Sequence, residues 1–141
     1  MHSHSYKNPK EYSRNNMLQY NFAMQVLSCG QINPDDRILD LGCGDGRITF
    51  EIAKKAYLGC VIGTDISEKM TEYANNTYNS QENLRFFPMD TSKNVFKNQF
   101  DVITSFNSLH WVKDQEKALK GIAKAATLNA RIILLLSLIH I

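Results

Sequence analysis

The sequence is short of the residues that build a metal centre, a disulfide framework or a membrane anchor. It holds three cysteines, Cys29, Cys43 and Cys60, with no close C-x-x-C pairing and few histidines near them. That spacing predicts free thiols, a reducing compartment and no metal site. Long apolar runs are missing too. The longest starts at Ile132 and continues, broken by one serine and one histidine, to Ile141, which is too short to span a bilayer. The opening Met1-His2-Ser3-His4-Ser5 lacks the apolar stretch of a signal peptide, so a cytoplasmic location is expected. Nor is there an excess of one charge: 16 Lys plus Arg against 14 Asp plus Glu leave +2. This is no footprint for DNA or RNA. Lys113, Lys117, Lys120 and Lys124 do recur at helical spacing, with Ala118, Leu119, Ile122, Ala123 and Ala126 between them. They read as the solvated face of an amphipathic helix.

What is present is a core and an alternation. The 141 residues are 43% hydrophobic, enough for one domain with a buried interior and too few for two. Residues 1–33 are read as a helical segment covering the ligand site, and 34–141 as the domain. The first helix is expected over 12–27, with Met17, Tyr20, Met24 and Leu27 along one side. The turn Asn33-Pro34-Asp35-Asp36 follows. Strands are predicted at 38–41, 60–64, 84–87, 100–105 and 131–136. Helices are predicted at 48–56 (Ile48, Ile52, Ala53 and Ala56 inward), from an N-cap at Ser67 through Thr77, and at 114–126. The alternation implies an α/β fold, a doubly wound, Rossmann-like, mostly parallel sheet with helices on both faces. The apolar pairs Val61-Ile62 and Val102-Ile103 suit strands buried on both sides.

The densest signal is Ile38-Leu39-Asp40-Leu41-Gly42-Cys43-Gly44-Asp45-Gly46, a strand running into a G-x-G-x-G turn that opens a helix. Glycines let the main chain turn sharply and let a ligand approach it. The helix start beyond them offers unpaired N–H groups. In an open parallel sheet such a loop lies at the carboxyl ends of the strands, where ligands bind. NAD-binding domains use a similar loop, but their pattern is G-x-G-x-x-G. Here the third glycine comes one residue early, at Gly46, and Arg47 stands where that pattern has glycine. Asp40 sits within the strand, where a carboxylate opposes a pyrophosphate and suits a cation. S-adenosylmethionine carries a sulfonium and an ammonium group and meets that requirement. Asp65 ends the second strand and is placed to accept from both ribose hydroxyls, with Ile66 against the adenine. Asp90, after the third strand, is placed to meet the adenine amino group. Gly42, Cys43, Gly44, Met70, Thr91 and Phe106 complete the expected cofactor-binding set. Each acid alone is as readily a turn residue or a helix cap, but three at strand ends in register with the loop favour a ligand.

These residues resemble the class I S-adenosylmethionine-dependent methyltransferase family, through Leu39–Gly46 of the loop motif and the acid Asp65. A closer resemblance is to juvenile hormone acid O-methyltransferases and, less closely, trans-aconitate methyltransferases. Three stretches carry it: Asp65-Ile66-Ser67-Glu68-Lys69-Met70 continuing to Tyr73-Ala74-Asn75; Ser105-Phe106-Asn107-Ser108-Leu109-His110-Trp111-Val112 followed by Asp114-Gln115-Glu116; and Tyr12, Asn16, Leu18 and Gln19.

The resemblance implies a transferase whose partner is a small-molecule carboxylic acid, organic or fatty. It also implies that Gln19 and Trp111 hold the acceptor carboxylate through neutral amide and indole donors. The plainer readings are an exposed helix residue for Gln19 and a core aromatic for Trp111. A carboxylate acceptor is ionised at neutral pH and needs no general base. Were the acceptor a hydroxyl or amine, His110 would be the candidate base; otherwise it is a packing histidine. Phe106-Asn107-Ser108 is not the Asp/Asn-Pro-Pro-aromatic motif of nucleic-acid amino methyltransferases, which argues against base flipping. Malonyl-carrier-protein or other small-molecule methylation, a non-catalytic cofactor-binding module and an NAD-dependent oxidoreductase stand as the other readings. The family's sheet has seven strands. The expected sheet is therefore truncated after the fifth, without strands 6 and 7, and its last apolar strand is expected to be an exposed edge.

Overall fold

The computed structural model describes the backbone of residues 9–136 and the side chains of residues 16–136. The Tyr12 side chain, residues 1–8 of the expected N-terminal segment and residues 137–141 of the expected apolar ending lie outside the described residues.

The strands are β1 (Arg37–Leu41), β2 (Cys60–Asp65), β3 (Leu84–Pro88), β4 (Phe100–Phe106) and β5 (Ala126–Leu135). They form one sheet in the order β3-β2-β1-β4-β5, and every neighbouring pair is parallel. The helices are α1 (Pro9–Leu27), α2 (Arg47–Lys55), α3 (Glu68–Thr77) and α4 (Gln115–Ala125), with single 3-10 turns at Thr91–Lys93 and Leu109–Trp111. Successive side chains of a strand go to opposite faces of its sheet. Ile38, Val61 and Val102 therefore meet Ala23, Leu27, Ile52, Ala53 and Ala74 of α1–α3 on one face. Leu39, Leu41 and Ile103 meet Ala118, Ile122 and Ala125 of α4 on the other. Burial on both faces is why the central strands are mostly apolar, and the buried Asp40, Thr104 and Ser105 among them are hydrogen-bonded. Two helix starts follow from short polar residues: Ser67 Oγ accepts from the Met70 N–H at 3.3 Å, and Asp114 Oδ1 from the Lys117 N–H at 3.0 Å.

Three sequence expectations need correction. First, β5 begins at Ala126, directly after α4, and not at residue 131. Its ladder jumps from Phe100↔Ala126 to Val102↔Arg131, so the residues around the fully exposed Leu128 bulge out. Regular pairing then starts at Arg131, where the apolar pattern starts. Second, α1 buries Ala23 and Leu27, whereas Met17 is 50% exposed. Third, α4 buries Ala118, Gly121, Ile122 and Ala125, leaving Leu119 and Ala123 exposed. Gly121 lies inward because Asn94 leaves no room for more: a Cβ there would come within 2.8 Å of the Asn94 Cβ.

Candidate cofactor-binding site

β1 lies where the strand order reverses, between β2 and β4. A crevice at the carboxyl ends of the strands is expected there, and the glycine loop occupies it. Gly42, Gly44 and Gly46 all have positive φ, at 71°, 56° and 86°. At Gly42 the requirement is also steric, because a Cβ would collide with Ser108 Oγ. Ser108 is held there by function of its neighbours: its Oγ and that of Ser105 are 2.8 Å apart, and both donate to the Leu41 carbonyl, at 3.1 and 3.0 Å. This pair fixes the loop after β4 against the end of β1. A Cβ on Gly44, in contrast, would meet nothing within 4 Å. It would point into open space, as a backbone surface against which a ligand lies should.

Asp65 ties the loop to α3. Its Oδ2 accepts from the Gly44 N–H at 3.0 Å and its Oδ1 from the Ser67 N–H at 2.9 Å. A carboxylate has about four acceptor sites, so capacity remains for a ligand. The Cys43 N–H completes the seam, reaching the Thr64 carbonyl at 2.9 Å. Asp90 receives both the N–H and the hydroxyl of Ser92 on one oxygen, at 2.9 and 2.7 Å. Those bonds hold its carboxyl below the usual carboxylate range, keeping it an acceptor.

Two cavities open beside the loop. The larger, about 310 Å³, is lined by Gly42, Asp65, Ile66, Asp90 and Thr91 and, across from them, by Ser108 and Trp111. The smaller, about 170 Å³, is lined by Gln19 and Tyr20 of α1, by Cys43, Gly44 and Arg47, and by Met70, Phe106 and Asn107. Gly42 lines both. Nearly all the anticipated cofactor residues are thus gathered around one loop. Gln19 and Trp111 are not in one cavity: each lines a different one, and Gly42 borders both.

Asp40 and His110 line neither cavity. Asp40 is buried beneath the loop, where its oxygens accept from Thr104 Oγ1 and Thr49 Oγ1, each at 2.7 Å. Burial pushes its carboxyl up to about 6, although the two hydroxyls pull it back. The His110 ring lies 4.9 Å from the Trp111 ring. Gln115 braces the turn that carries both, donating through Nε2 to the Leu109 carbonyl at 2.6 Å. Burial raises the Cys43 thiol well above its ordinary value, and the charges of Asp40 and Asp65 add to the effect. It is therefore a neutral, inert wall.

Sequence reasoning had passed over Ser92, Tyr20 and Asn107 as site residues, and treated Arg47 only as a departure from a glycine pattern. Asn107 carried a signal, since its φ of 59° suits asparagine better than most residues.

A site with Asp65 and Asp90 on its wall, Asp40 buried beneath its loop and an open glycine backbone fits a ligand that is cationic and carries hydroxyls. The family comparison agrees. A methyltransferase-domain profile matches residues 38–127, so the chain belongs to that family. It is a class I S-adenosylmethionine-dependent methyltransferase domain, and S-adenosylmethionine is the site's cofactor. Among curated relatives, it is 33% identical over 120 residues to the juvenile hormone acid O-methyltransferase of Bombyx mori, covering 79% of this chain and 43% of that protein. It is 35% identical over 94 residues to the Drosophila melanogaster protein of the same name, covering 62% and 32%. The chain thus spans less than half the length of either. A solved S-adenosylmethionine-dependent methyltransferase from Aquifex aeolicus superposes with a TM-score of 0.76 at 22% identity, over 91% of this chain and 72% of that one; this likeness concerns the fold. Among the described residues no helix is long and apolar enough to cross a membrane.

Proposed function

We propose that this protein methylates the carboxylate of a small organic or fatty acid at oxygen, using S-adenosylmethionine. The single observation that supports the reading is that Gln19 and Trp111, both with neutral donors, line two cavities that share Gly42. The names of the two insect relatives support the acceptor class. In this reading Asp65 holds the ribose hydroxyls, Ile66 lies on the adenine, and Asp90 with Thr91 meets its amino group. Gly42, Cys43 and Gly44 pass under the methionyl portion, with Met70 and Phe106 as its walls. Asp40 acts from below the loop, through its charge.

Bound there, S-adenosylmethionine supplies a methyl group already activated on a sulfonium. The chain's own residues need only bind and orient the acceptor. Neutral donors orient a carboxylate without the ion pair that would blunt its nucleophilicity. No proton has to be removed, so His110 serves as packing for Trp111. Free Cys29, Cys43 and Cys60 suit a cytoplasmic setting. A net charge of +2 and the absence of a proline-rich motif after β4 favour a small acceptor over nucleic acid.

The test is transfer of a radiolabelled methyl group to a panel of carboxylic acids. Gln19→Ala and Trp111→Ala should each cut transfer at least about tenfold, the loss expected for one hydrogen bond to a charged group. Because Asp40 titrates at about 6 in either protein, wild type and His110→Ala should share one pH profile of transfer between about pH 6 and 8, where the carboxylate acceptor stays ionised. A rise through the imidazole pKa that His110→Ala abolishes, or full activity in the Gln19 and Trp111 variants, refutes the assignment.

A further inference from the structure

We infer that Gln115 is the positioning residue that fixes Trp111 in the wall of the larger cavity, and that acceptor affinity depends on it. This deepens the reading above and rests on it for what Trp111 holds. Trp111 closes a single 3-10 turn, Leu109–Trp111. So short a turn has too few bonds of its own to keep one geometry. The Trp111 N–H donates to the Ser108 carbonyl and the Val112 N–H to the Leu109 carbonyl, each at 3.0 Å. The rest of the restraint comes from outside. At the start of the turn, Ser108 Oγ donates to the Leu41 carbonyl at 3.1 Å, and the Leu109 side chain is buried in one cluster with Ala118 and Ile122 of α4. At its end, the Gln115 side chain reaches back from α4. Its Nε2 donates to the Leu109 carbonyl at 2.6 Å and to the Val112 carbonyl at 2.5 Å. An amide nitrogen carries two hydrogens, so both are spent on bridging the turn.

Gln115 is exposed, so its loss leaves no void in the core. It lines neither cavity and acts only through the turn. It is also the first residue of α4, a helix whose start is capped by Asp114, which accepts from the Lys117 N–H at 3.0 Å, and whose inner face is buried. A latch anchored on a rigid helix passes that rigidity to the residues it holds. Ser108, Trp111 and Val112 line the larger cavity beside Gly42. An indole donor already held in place loses less freedom when it takes a carboxylate, so the acceptor binds more tightly.

Trp111 is the chain's one tryptophan, so intrinsic tryptophan fluorescence reports it alone. The 141-residue chain and its Gln115→Leu, Gln115→Glu and Glu116→Gln variants are compared in three ways: acrylamide quenching of that fluorescence, calorimetry with S-adenosylmethionine, and methyl transfer to the best acceptor among octanoate, decanoate, laurate and benzoate. Both Gln115 variants lose the two donated bonds, and Gln115→Glu also sets a carboxylate against two carbonyls. Quenching should increase in both, more in Gln115→Glu. KM for the acid should rise about tenfold, within the range that two ordinary hydrogen bonds allow. With kcat and S-adenosylmethionine affinity both within about twofold of wild type, the loss is one of acceptor binding common to ground and transition state. Glu116→Gln removes only a surface pair with Lys120 and should match wild type throughout. Unchanged quenching in both Gln115 variants overturns the inference. So does increased quenching with an unchanged KM, since the turn would then be held without effect on the acceptor. Equal weakening of S-adenosylmethionine and acid overturns it too, because Gln115 would then support the cavity at large. Thermal melts show whether each variant is folded; Gln115→Glu carries the test if Gln115→Leu is not, and failure of both to fold overturns the inference. A wild-type chain that methylates no acid would sink the proposed acceptor class, while increased quenching in the Gln115 variants would leave the latch on Trp111 standing.

Discussion

Replacing Asp40 by asparagine removes one titrating group from beneath the glycine loop while keeping its shape. In the folded chain burial raises this carboxyl from its ordinary 3.8 to about 6. That displacement corresponds to about 3 kcal/mol. The sign follows from proton linkage. The folded state binds the proton more tightly than the unfolded state, so the contribution is full below about pH 4 and is lost as pH rises through about 6. Asp90 and Asp101 pull the other way. The hydroxyl of Ser92 and the guanidinium of Arg37 hold them low, so their contributions fade in acid. The difference between wild type and Asp40→Asn cancels those shared groups. Asparagine can accept from one of Thr49 and Thr104 and donate to the other, so its own bonds add no pH dependence. Urea unfolding of both proteins from pH 4 to pH 8 provides the measurement. The stability of wild type relative to Asp40→Asn should fall by about 2 kcal/mol across that range, most steeply between pH 4 and 6. A flat difference, or one that rises with pH, would refute the claim that Asp40 is a buried, desolvated acid.

Other outcomes follow from the site. Asp65→Ala should weaken S-adenosylmethionine binding by about 100-fold, through two lost hydrogen bonds to a charged acceptor, as read by calorimetry. It should also lower the melting temperature without ligand, because the Gly44 and Ser67 N–H groups lose their acceptor. Gly42→Ala should cost about 1–3 kcal/mol of stability from a strained backbone and a displaced Ser108. Thermal unfolding checks this, and an unchanged melting temperature would contradict the packing at that turn.

The strands were legible because parallel strands covered on both faces must be apolar nearly throughout, and Val61-Ile62 and Val102-Ile103 are. The helix faces were harder. Small residues carry the contact on α1 and α4, where Ala23 and Gly121 sit inward while the larger Met17 and Leu119 face out. A reading weighted toward large side chains turns such a helix the wrong way. The start of β5 was hidden because its bulge around Leu128 breaks the apolar pattern. At the site, glycine spacing and strand-end acids could be read locally, since the sheet places every strand end in one crevice. The division of Gln19 and Trp111 between two cavities could not. It depends on how α1 lies over the loop, a relation between residues far apart in sequence. Arg47 was overlooked because a charged residue at a helix start usually faces solvent. Only the Tyr20 ring from another helix gives it a fixed place.

Calorimetric titration of the wild-type chain with S-adenosylmethionine, S-adenosylhomocysteine and NAD reads the cradle directly. Acids around an open glycine turn should bind both sulfur nucleosides and leave NAD unbound. Binding of NAD, with neither sulfur nucleoside taken up, would contradict it.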